Sequence, residues 1–281
     1  MYPQDKNYSL AQLIFSLGGG TLLFALSHAL GLPAESSLRR HGDPISLVPS
    51  TGQPKADEMG KNIQEFLCTY KGSQKRGFQL MADETALEQR ACYFPAKNEL
   101  LGLCREHGKN HDLKVERWDN LETIQNAVRE NQCHLGKEAT VVGVAAFGFD
   151  HYNTFPLLIS PTCKSENSND CASWIQLVVT KWKTQTNLPV WSFASDGDAT
   201  CRNAFHKLFM KHHVEVGTPL YLQLTSLWLF NTQCGDDDIT MEFDPKHLIK
   251  RRSWSLLQAV VDTVINRLLY SVTCRERFSN L

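Results

Sequence analysis

A mixed α/β sheet with helices packed on it is the fold class that the sequence predicts. Three observations predict it: the order of the apolar runs, one run apolar enough to be buried on both faces, and two helical periods, one between strand-like segments and one after the last of them. From the start of the chain, residues 1–43 read as a small N-terminal helical region. Ser9 is positioned as an N-cap, Gly18-Gly19-Gly20 ends a first apolar helix, and a second over Thr21–Leu30 stops at Gly31-Leu32-Pro33. Residues 44–76 read as a connector, because 44–60 is rich in Pro, Ser, Gly and Thr without periodicity. Phe78–Ala82 is then a short apolar strand that runs into Asp83-Glu84. Arg90–Phe94 and Glu99–Leu103 flank a Pro95–Asn98 turn and predict a hairpin. Thr140–Phe149 is the continuous apolar run. Asp170–Thr184 has a helical period through Trp174, Leu177, Val178 and Trp182. Pro189–Ala194 is a strand that ends in Ser195-Asp196-Gly197-Asp198, and Ala199–His213 is an amphipathic helix.

Composition narrows the function less than pattern does. The hydrophobic share of 42% and the charged share of 21% are those of a globular chain, which argues against wholesale disorder. A formal net charge of -1 gives no global argument for nucleic acid and leaves only a local basic face as a DNA contact. The nine cysteines contain no Cys-x-x-Cys pair, so free thiols in a reducing, intracellular compartment are expected rather than a disulfide framework. Leu10–Leu32 is apolar and long enough to raise a membrane span. Gln12, the three glycines, Ser27 and His28 oppose it, and two short buried helices are expected instead.

Asp83 and Asp196 are the candidate catalytic and metal-binding residues. Each sits where a strand ends, and in α/β sheets ligands bind beyond such ends. Carboxylates from neighbouring strands can share Mg²⁺ or Mn²⁺, and bound divalent ions clamp the attacking and leaving oxygens of a phosphoryl transfer. Capping of the following helix competes for Asp196 or Asp198.

Three ordered blocks resemble the P-element-type and THAP-related DDE transposases. LMADETALEQRACYFPAKNELLGLCREH (Leu80–His107) resembles the segment with that family's first catalytic Asp, PVWSFASDGDATCRNAFHKLF (Pro189–Phe209) the segment with the second, and FDPKHLIKR (Phe243–Arg251) its "FDPPHLLK" signature. Val141–Lys164 resembles transposase-like proteins of fungi. The resemblance implies a partial ribonuclease-H-like catalytic domain over 77–252, with Asp83 and Asp196 as metal ligands and Asp198 as the alternate. It also implies that Asp244 and His247 lie near the site, without a chemical role. His247, Lys250 and Arg251, on a helix that starts at Pro245, form a small basic face able to meet a DNA phosphate. DNA is thus the implied partner, with a nuclear or cytoplasmic location.

The chain also departs from that family. A third acid, usually a Glu well downstream, has no recognisable counterpart: only Asp262 and Glu276 follow residue 252, in a divergent tail over 253–281. The expectation is a truncated, transposable-element-derived chain, catalytically inactive. The alternative is a non-catalytic scaffold that binds DNA or protein on the same fold. The zinc-finger module found at the start of some members is absent.

Weaker constellations remain. Cys104, His107 and His111 have a Cys-x2-His-x3-His spacing, and a zinc ion there needs a further ligand, for which Cys133-His134 is the nearest pair. Asp236-Asp237-Asp238 reads as a solvated acidic loop. The glycine triplet lacks the Lys-Ser/Thr of a phosphate loop, and no Gly-x-Ser-x-Gly or His-Glu-x-x-His occurs.

Overall fold

The computed structural model describes residues 3–41, 47–72, 77–147, 153–226 and 231–244. Two compact units divide the chain after residue 46. In the first, helix α1 (Pro3–Leu30) is broken at Gly19, whose φ of 67° only glycine adopts without strain, and α2 (Glu35–His41) follows. The break falls inside the predicted glycine triplet, but the helix starts at Pro3 rather than after Ser9. Burial is thinner than expected. Ala11, Ile14, Leu23, Leu32 and Leu38 form a small core, while Leu17 and Phe24 are 77% and 71% exposed. No helix among the described residues is long and apolar enough to cross a membrane.

The second unit opens with helix α3 (Ala56–Thr69), inside the stretch expected to be a connector. Met59, Ile63 and Phe66 recur at helical spacing and enter the main core, a period masked by the Pro- and Gly-rich composition just before it. Strand β1 (Phe78–Ala86) follows, then the hairpin β2 (Cys92–Phe94) and β3 (Glu99–Leu101), short helix α4 (Arg105–Gly108) and α5 (Trp118–Arg129). The chain returns in β4 (Glu138–Ala146) and β5 (Phe155–Thr162) and crosses over through α6 (Ser168–Thr186) to β6 (Val190–Ser195). Helix α7 (Ala199–Phe209), strand β7 (His212–His213), helix α8 (Pro219–Ser226), strand β8 (Gln233–Cys234) and strand β9 (Thr240–Phe243) complete it.

Five strands form the main sheet in the order β5-β4-β1-β6-β9. β1, β4 and β5 pair antiparallel, whereas β6 pairs parallel to β1 and β9 parallel to β6. Three antiparallel strands extended by two parallel ones on the side of the first is the ribonuclease-H-like arrangement, a mixed sheet with flanking helices. The predicted hairpin forms a separate two-stranded sheet, with Asn98 in the left-handed region at its turn.

Phe78, Leu80 and Ala82 of β1, Val142 and Val144 of β4, and Phe193 of β6 face one core with α3, α6 and α7. Phe66, Phe78, Phe155 and Trp182 cluster there, with the rings of Phe78 and Trp182 5.2 Å apart and those of Phe66 and Phe155 5.6 Å apart. Burying such side chains contributes about 1.5–3 kcal/mol each. Strand β5 was not legible because Pro156 and Pro161 interrupt its apolar run. Proline is tolerated at a sheet edge, and β5 is the edge.

Candidate functional site, a carboxylate groove on the open sheet face

Side chains alternate across a strand, so the residues of β1 between its core positions point to the face away from α3, α6 and α7. Gln79, Met81 and Asp83 are those residues. Asp83 is not beyond the strand end, as the sequence suggested, but inside a longer β1, paired with Val141 of β4. Ala82 pairs with Ser195 of β6, so Asp83 and Asp196 are the next residues of two parallel neighbours. Such strands lie about 4.8 Å apart. Ser195 also pairs with Phe243 of β9, and Asp244 donates its N–H to the Ser195 carbonyl at 3.0 Å. Three consecutive strands therefore bring Asp83, Asp196 and Asp244 to one level of the sheet.

These residues line a shallow groove of about 320 Å³ together with Gln79, Met81 and Glu242. Gln79 Nε2 donates to Glu242 Oε2 at 2.6 Å, which fixes the groove's far wall. Its described lining holds four acidic side chains and no Lys, Arg or His. The predicted pair Asp83 and Asp196 is brought together, and Asp244 and Glu242 join it. Neither had been given a chemical role from sequence, because Thr240–Phe243 is too short and too polar to read as a strand; its only signal is the alternation of Met241 and Phe243.

The turn after β6 separates the two acids of the Asp-Gly-Asp triplet. Gly197 sits at φ 72°, and a Cβ there would lie 2.9 Å from Phe243 Cδ1, so glycine is required both for the turn and for the close approach. Asp196 Oδ1 accepts the N–H of Asp198 at 3.1 Å. Asp198 is the N-cap of α7, accepting from the N–H groups of Thr200 at 2.7 Å and Cys201 at 3.3 Å. Its carboxylate is thus engaged by the helix end and does not line the groove, so the capping alternative applies to Asp198 and not to Asp196. His247, Lys250 and Arg251 lie outside the described residues.

A larger cleft of about 780 Å³ lies along the opposite end of β6, lined by Phe147, Leu188, Pro189, Trp191 and Leu224. Its lining Asp237 is paired with Lys183 at 2.7 Å, and no row of carboxylates from adjacent strands faces it. The acidic run Asp236–Asp238 forms a 3-10 turn, with Asp236 paired to Lys211, as expected of a solvated loop.

His212, Cys234 and Asp238 form a small, mostly exposed cluster, and a more buried one lies past the Ala86 end of β1, where Glu138 of β4 pairs with Ala86 and Thr162 of β5 with Glu138. Cys104, His107, His134 and Cys163 present ligand atoms all within 4.8 Å of one another. His111 and Cys133, the partners the spacing suggested, are not in that group. Cys163 was missed because it arrives from β5, far along the chain. The Cys104 thiol is pushed up to about 12, first by its hydrogen bond with Cys133 and then by burial.

No family model matches the chain, and no curated protein matches it. Among solved structures, the Drosophila P element transposase strand transfer complex aligns at 12% identity and a TM-score of 0.40, over 89% of this chain and 43% of that one. The chain spans less than half the length of the transposase chain it matches.

Proposed function

We propose that this chain is a transposase-related protein whose groove binds Mg²⁺ or Mn²⁺ and directs phosphoryl transfer on DNA. The observation that carries this function is the row of Asp83 on β1 with Asp196 and Asp244 just past β6 and β9, three adjacent strands of a ribonuclease-H-like sheet. Acidic side chains gathered at one level repel one another, and a hard divalent cation with oxygen ligands relieves that repulsion. Once bound, the metal supplies Lewis-acid stabilisation of the phosphate oxygens and an activated water. The chain's own contribution is position. The Asp83 carboxylate accepts the Glu84 N–H at 2.8 Å and the Asp196 carboxylate the Asp198 N–H at 3.1 Å, so each is already oriented when metal arrives.

The sequence expectation of inactivity rested on the missing downstream acid. Asp244 offers a third carboxylate in the described groove, which supports a metal-loaded site competent to nick DNA. His247, Lys250 and Arg251, a short way after Asp244 in the chain, are proposed to meet the phosphate backbone beside it. Incubation of the purified full chain with supercoiled plasmid and Mn²⁺ is expected to yield nicked circles, and the Asp83→Asn, Asp196→Asn variant to yield none. Equal nicking by both proteins would reject the groove as the source. No nicking by either, with normal Mn²⁺ binding, would favour the non-catalytic scaffold.

A further inference from the structure

Segment 87–137 interrupts what would otherwise be a simple hairpin between β1 and β4, whose register closes with Ala86 opposite Glu138. Its own core is small: Leu103, Leu113, Ile124, Ala127 and Cys133. A core of that size supplies little stability, and small units of this kind are commonly completed by a disulfide or a metal. At the root of the segment three stretches of chain converge. The Cys104 N–H donates to the His134 carbonyl at 2.9 Å, the Gly136 N–H to the Gly102 carbonyl at 2.8 Å, and the Lys137 N–H to the Thr162 carbonyl at 2.9 Å.

The side chains at this junction are Cys104, His107, His134 and Cys163, with both cysteines buried and both histidines half-buried. His107 Nδ1 lies 3.3 Å from Cys104 Sγ and 3.6 Å from Cys163 Sγ. Tetrahedral zinc with Zn–S near 2.3 Å and Zn–N near 2.05 Å requires an S···N edge of about 3.5 Å. The His134 ring closes the fourth corner, its centroid 4.3 Å from that of His107.

The surroundings fit a fixed ligand set. Glu106 Oε2 accepts the Cys163 N–H at 3.2 Å, and its other oxygen accepts from Thr162 Oγ1, which pins the end of β5 against α4. Arg105 and Glu166 form a buried ion pair across the same seam. Outer contacts of this kind hold ligands in place before metal binds.

We propose that Cys104, His107, His134 and Cys163 bind one structural zinc ion that fastens segment 87–137 to the end of β5. The site is closed, with four protein ligands and no open position, and so takes no part in the chemistry of the carboxylate groove. Soft thiolates with imidazoles select zinc, whereas the groove's oxygens select Mg²⁺ or Mn²⁺. The inference stands whether or not the groove is catalytic.

Elemental analysis of the full chain, expressed with zinc and purified without chelator, is expected to find a single zinc per chain. The Cys104→Ser and Cys163→Ser variants are expected to lose it, while His111→Ala and Cys133→Ala retain it. Should the serine variants fail to fold, Co²⁺ added to the metal-stripped wild-type chain is the second measurement. A tetrahedral d–d spectrum with thiolate charge-transfer bands supports the site, and an octahedral spectrum overturns it. Absence of stoichiometric zinc from the wild-type chain, zinc retained by Cys163→Ser, or a Cys104–Cys133 disulfide in the native protein would each overturn it as well.

Discussion

At the scale of single residues, two acids separated by one glycine do different work. Asp198 satisfies the first N–H groups of α7, so Asp198→Ala is expected to lower stability by about 1 kcal/mol in denaturant titration. Its affinity for Mn²⁺ is expected to stay that of the wild type. Asp196→Asn should do the reverse, with Mn²⁺ affinity weakened more than about 10-fold and little change in stability. Gly197→Ala is expected to damage both, since the turn's φ of 72° and the contact with Phe243 belong to glycine. Cysteine reactivity separates along the same physical lines. Burial and the neighbouring Asp238 carboxylate push the Cys234 thiol up to about 11, so at pH 8 its thiolate fraction is on the order of 0.001. Iodoacetamide at that pH is expected to label the exposed Cys68 and Cys92 in the native chain and to spare Cys234, with mass spectrometry of peptides as the check.

Among the elements, legibility in the sequence followed burial and length. The continuous apolar run of β4 and the long period of α6 were readable because each element is buried along much of its length. Helix α6 also carries its own boundary signals: an Asn167–Asp170 capping box at its start and Asn187 in the left-handed region at its end. Asn167→Ala is therefore expected to cost about 1 kcal/mol. The elements that escaped reading are those that local composition disguises. Prolines hide the edge strand β5, a Pro/Gly-rich approach hides α3, and β9 is only four residues long. The same holds for side-chain clusters. Cys104 and His107 were visible as a pair, but their partners His134 and Cys163 are defined only by tertiary convergence. Phe66→Ala tests the unexpected role of α3. Its ring packs on Phe78, Phe155 and Trp182, and its removal is expected to cost about 3–5 kcal/mol; a loss below 1 kcal/mol would remove α3 from the core.

For the whole molecule, the strand order joins residues distant in sequence into one chemical surface. Asp83 comes from the first strand of the sheet, Asp196 from the end of a strand reached by a helical crossover, and Asp244 from the end of the last described strand. The first two were recognisable because each follows an apolar run; the family resemblance put the third near the site, and a role for its carboxylate emerges only from β9 lying beside β6. The proposed phosphate contacts of Lys250 and Arg251 would make DNA binding sensitive to salt. Replacing both by alanine is expected to reduce the slope of log affinity against log salt by about 2. Calorimetric titration of Mn²⁺ into the full chain, with the Asp83→Asn, Asp196→Asn variant alongside, tests the groove most directly. Saturable binding by the wild-type chain that the double variant loses is the predicted result. Identical Mn²⁺ isotherms for the two proteins, with both folded by circular dichroism, would contradict it.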